Sequence, residues 1–121
     1  MPTIINRVRS FMQENNYSEA LKLLYSIPDE YLSSEACILR AICFQLDNTE
    51  DGLDLQDVHN ELSKAIEINP RSIESNLEMG YFLYAVMDDS KNAQPYFQKV
   101  VELLGDFFED YEDLKNEIAE S

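Results

Sequence analysis

Glycine and proline are scarce in this chain, three and four among 121 residues. A β sandwich or barrel spends both freely at its turns. Their scarcity therefore argues for helices, and Leu, Ala, Glu, Lys and Gln supply good helix formers. Basic residues are also few: nine Lys and Arg face 24 Asp and Glu, a net charge of −15. So acidic a chain repels the phosphates of nucleic acid and an anionic membrane surface. It favours a basic protein partner, although acidity also serves solubility alone. Cysteine is limited to Cys37 and Cys43. Six residues carry the chain about 600° round a helix axis, so the two do not share a face, and they read as buried thiols in a reducing compartment rather than a disulfide. No apolar run approaches the ~18 residues of a membrane span, and the first residues lack a signal-peptide pattern, so the expected location is cytoplasmic.

What is there is apolar periodicity. Apolar residues make up 45% of the chain, enough for one folded domain over 1–121. Ile4, Ile5, Val8, Phe11 and Met12 share one helical face, and Asn15-Asn16 breaks it. Ser18 is a candidate cap for a second helix that ends before Pro28, and Ser33 or Ser34 for a third along Ala36–Leu46. A fourth helix is expected over Leu55–Ile68, and a fifth capped by Ser72. The sixth covers Lys91–Leu104, with Pro95 near its first turn and Gly105 as its C-cap. A seventh runs from Asp106 to Ala119.

Small and large residues recur at matching places. Ala41 and Gly80 fall mid-way in the third and fifth helices. Ala20 and Ala93 fall early in the second and sixth. Leu24, Leu62 and Phe97 follow as large residues, then Ala65 and Pro70. This pattern resembles the tetratricopeptide repeat family, in repeats of about 3–28, 33–70 and 72–104 with a capping helix over 106–119. Val8 stands where the first repeat should have a small residue, and about five extra residues part the helices of the second. The resemblance implies an all-α fold, a right-handed α-solenoid of about seven antiparallel helices.

Catalytic apparatus is thin. His59 lies between Asp57 and Glu61, abundant carboxylates rather than a placed triad, and reads as a surface histidine. Cys37, Cys43 and His59 have no zinc-ligand spacing. Counted from Asp47, a calcium loop would place Gly52 correctly but Val58 where a bidentate Glu belongs. No metal, cofactor or small-molecule substrate is expected.

In the resembled family the first helix of each repeat lines a concave groove. The matching residues are Ile5, Arg9 and Met12, then Ile38, Ile42 and Gln45, then Leu77, Tyr81 and Tyr84. The two tyrosines suit a half-wet interface best. A second candidate surface is acidic: Asp47, Glu50, Asp51, Asp54 and Asp57 in the loop, with Glu109, Asp110, Glu112 and Asp113 in the last helix. The expected function is protein–protein interaction with a dedicated, basic or aggregation-prone protein. An immunity protein against a toxin and a secretion-type chaperone are special cases of it. A small enzyme using paired carboxylates is the reading from another class, and it requires two acids buried in one pocket.

Overall fold

The computed structural model describes residues 3–47 and 55–120. It is all-helical, with six α-helices and no strand among the described residues: α1 (Ile4–Gln13), α2 (Tyr17–Tyr25), α3 (Ser34–Leu46), α4 (Leu55–Ile68), α5 (Ile73–Tyr81) and α6 (Ser90–Glu120). A 3₁₀ turn, Asp29–Tyr31, follows Pro28, and a π-turn, Phe82–Val86, extends α5. No described helix is long and apolar enough to cross a membrane. The chain forms two compact units, Met1–Pro70 and Arg71–Ser121.

Side chains set the helix ends. Thr3, Ser33 and Ser72 accept hydrogen bonds from the amides of Asn6, Ala36 and Ser75, at 3.2, 3.1 and 3.1 Å. The cap of α2 is Asn16 rather than Ser18. Asn15 closes α1 in the left-handed region (φ 60°), and the Asn16 amide reaches back to the Phe11 carbonyl at 2.8 Å. Asn16 Oδ1 then accepts from the Glu19 amide, so α2 begins at Tyr17. The same device recurs before α6. Asp88 has φ 52°, and Asp89 Oδ1 accepts from the Asn92 amide at 3.2 Å. In both places a buried alanine, Ala20 or Ala93, stands four residues after the cap.

The last two expected helices are one. Gly105 does not end α6, which runs unbroken through it to Glu120. A C-capping glycine works by adopting positive φ, and Gly105 does not. As an interior helix residue it costs about 1 kcal/mol relative to alanine. Pro95 lies in the second turn of α6, because the helix starts at Ser90.

In the first unit α2 packs on α1 and α3, and α3 packs on α4. With neighbours on two sides α3 is buried nearly all round, from Ala36 to Ala41 and again at Cys43. One core cluster joins Val8, Ala20, Leu24, Ala36, Leu39 and Cys43, and another joins Cys37, Ile38 and Ala65. In the second unit α5 packs on α6, where Ala93, Val100 and Leu103 are buried.

Cys37 and Cys43 are free and buried. Burial, then the Glu61 charge, pushes the Cys37 thiol from 9.0 up to about 11. Burial, then Asp47, does the same to Cys43. Folded values above the unfolded ones mean that this stability is complete below about pH 9 and is lost as pH rises towards 11. Urea midpoints should therefore hold steady up to about pH 8.5 and fall by pH 10.5, and Cys43→Ala should flatten the fall. A midpoint that stays level through pH 10.5 would contradict the burial of the thiols.

Candidate functional site

The expected site residues fall into local groups. In the first unit Arg9 and Met12 line an open depression with Gln13, Tyr17, Leu39 and Leu46, and Arg9 is ion-paired to Glu35. Ile38 is buried against Cys37 and Ala65 and has no surface to offer, while Ile42 packs beside it half-buried. The Gln45 side-chain amide donates to the Ala41 carbonyl of its own helix. In the second unit Leu77 is half-buried on α5. Tyr81 and Tyr84 are 55% and 57% exposed. Both stand edge-on to the Phe97 ring, centroids 5.4 and 6.4 Å away. Phe97 lines a shallow depression with Gln94, Gln98, Val101 and Glu102. The π-turn sits within this patch, and such turns often mark working surfaces.

Of the acidic residues, Asp57, Glu109, Asp110, Glu112 and Asp113 are exposed and Asp47 is half-buried. Glu50, Asp51 and Asp54, with the calcium-type loop, lie outside the described residues. Among the described residues no three Asp, Glu, His or Cys side chains gather as metal ligands. His59 is half-buried, its Nδ1 3.4 Å from Ser63 Oγ. Burial, then the Glu74 charge one turn earlier, raises the Glu78 carboxyl above its ordinary range. Glu74 itself is exposed, so these two do not form a buried acid pair.

Two features escaped the sequence reading. One is a buried polar cluster. Glu61 lies 3.5 Å from Arg40 Nη1, accepts from the Tyr25 hydroxyl at 3.1 Å, and has Lys64 at 4.0 Å. Arg40 also donates to the Leu24 carbonyl at 2.9 Å and stacks 4.2 Å from the Tyr25 ring centre. Burial, then Glu61, raises the Tyr25 hydroxyl well above its ordinary value. The signal available was Arg40 itself, one charge within the run Ala36–Phe44. The other feature is the second half of α6, whose apolar residues remain exposed where a capping helix would bury them: Phe107 59%, Tyr111 49% and Leu114 59%. Phe108 is exposed too, and its ring meets Phe107 edge-on.

Comparison with protein-family models, curated proteins and solved structures finds no match to this chain.

Proposed function

We propose that the chain is a non-catalytic protein-binding module, built as a tetratricopeptide-like right-handed solenoid and holding one dedicated protein partner. The observation that carries this reading is the number of exposed aromatic and apolar residues on the second unit. Tyr81 and Tyr84 stand against Phe97 beside Val101, and Phe107, Phe108, Tyr111 and Leu114 are exposed in the second half of α6. A free surface seldom keeps so many large apolar side chains in water, and partners cover such patches. The helix pairing supports the repeat likeness. Gly80 approaches Phe97 so closely that a Cβ there would sit 2.6 Å from the ring, as small-against-large repeat packing requires. Ala20 and Ala93 occupy equivalent places after matching capped turns. Glu61, the buried carboxylate among the described residues, is held by an arginine rather than paired with a second acid.

The test is affinity capture with the full chain, followed by binding measurements on the purified captured protein. Tyr81→Ala and Tyr84→Ala should each weaken that complex at least about tenfold, the loss of an interface anchor. Unchanged affinity in both variants would remove the tyrosine patch as the site. Failure to retain any protein above background would overturn the binding role.

A further inference from the structure

We propose that the second half of α6 takes a basic amphipathic helix, laid along the face that carries Phe107, Tyr111 and Leu114. This rests on the protein-binding role above and names the surface and the chemistry of the partner.

The two helices of the second unit differ in length. At 1.5 Å per residue the 31 residues of α6 span about 46 Å, while α5 and its π-turn, 9 and 5 residues, span about 21 Å. Arg71, just before α5, is ion-paired to Asp106 at 3.2 Å, so the middle of α6 lies beside the start of α5. Residues after Asp106 therefore extend past the end of the helix that covers the first half.

The face does not change along the way. At 100° per residue, Phe107, Tyr111 and Leu114 return to within about 40° of Val100. Val100 is buried on α5, and these three are half exposed or more. One continuous stripe is thus covered upstream and uncovered downstream. Its steps of seven, four and three residues suit a helical partner, because an apolar seam at 3.5-residue spacing stays against a second helix.

Charge selects the occupant. Between Asp106 and Ala119 there are six acids and one lysine, a net charge of −5. The lysine, Lys115, is already engaged with Glu112 and lies 5.4 Å from the Tyr111 ring centre. Asp110 and Glu117 stand on one edge of the stripe, each three residues after an apolar member, where a coiled partner places its charges, and Glu112, paired with Lys115, stands beyond the other edge. A second copy would bring −5 against −5 at the 8–10 Å separation of packed helices, about one Debye length at physiological salt. A helix with Lys or Arg beside its apolar seam meets attraction instead, and a steered approach.

The probe is a synthetic three-heptad peptide with Leu at its seam positions and Lys on both flanks. One control shuffles the same residues to destroy the seam, and the other replaces Lys by Glu. Binding to the full chain is followed by anisotropy of the labelled peptide at low and high salt, with sedimentation of the chain alone. The seam peptide should bind one-to-one, weaken as salt rises, and bind at least about tenfold tighter than the shuffled one. The Glu peptide should not bind. Leu114→Glu and Phe107→Ser, both at exposed positions, should each weaken binding at least about tenfold at unchanged helicity. Equal binding of the shuffled peptide, indifference to both substitutions, or a wild-type dimer split by Leu114→Glu would overturn the proposal. A captured partner that binds Leu114→Glu with unchanged affinity would also overturn it, while leaving the binding role above intact.

Discussion

Replacing Arg40 by alanine should lower the unfolding free energy by about 3–5 kcal/mol, because it leaves a buried carboxylate without its cation. Glu61 would keep the Tyr25 hydroxyl at 3.1 Å and a partly exposed Lys64 at 4.0 Å, neither of which replaces a guanidinium inside the core. The Leu24 carbonyl would lose its 2.9 Å donor, and the Tyr25 ring the cation stacked on it. Most of the loss reflects the orphaned partner rather than the worth of the pair. At 3.5 Å the contact with Glu61 is loose, and Arg40 Nε has no hydrogen-bond partner. Arg40→Met with Glu61→Leu should therefore recover much of the loss, since similar apolar volume avoids the desolvation of both charges. Urea unfolding of the two single variants and the double decides it. A cost below about 1 kcal/mol for Arg40→Ala would mean that Glu61 is not confined as described.

The cluster shows where periodicity stops informing. Amphipathic spacing finds a face by contrasting apolar with polar positions, and it located α1 and α4 well; α4 occupies the Leu55–Ile68 span read from its stripe. In α3 the contrast vanishes, because the helix is covered on two sides. Arg40 then stood out, but nothing local named Glu61 as its partner, 21 residues away on another helix. The cap of α5 was legible as Ser72 and that of α3 as Ser33 or Ser34, because serine before an apolar run acts within one turn. Gly105 was misread for a related reason: glycine closes helices and also lies inside them, and its sequence neighbours do not distinguish the two. Tyr81 and Tyr84 were singled out by the repeat resemblance and both are exposed, whereas their shared contact with Phe97 required the fold. The exposed stripe on α6 was missed with it, since a helix ending at Leu104 leaves its successor free to fold back as a cap.

Gly80→Val should destabilise the second unit by about 3 kcal/mol, the upper part of the range for overfilled cores. Even alanine adds a Cβ that would sit 2.6, 2.9 and 3.0 Å from three atoms of the Phe97 ring. Phe97 is half-buried with Tyr81 and Tyr84 edge-on to it, so making room for the added carbon moves the ring out of its contacts with both. Alanine regains about 1 kcal/mol of helix propensity, so Gly80→Ala should cost a net 1–2 kcal/mol, roughly. Gly105 serves as the internal control. A Cβ there meets nothing within 4 Å, so Gly105→Ala should stabilise the protein by about 0.5–1 kcal/mol. One substitution thus has opposite signs at two helical glycines, separated only by what lies above each Cα. Combining Gly80→Ala with Phe97→Leu should cost less than the sum of the two, by about 1 kcal/mol, since the smaller side chain yields the space the methyl needs. Thermal unfolding of these variants measures each term. If Gly80→Ala stabilises the protein as Gly105→Ala does, then Phe97 does not pack on the α5 backbone. The aromatic patch formed with Tyr81 and Tyr84 would then lose the ring that holds it together.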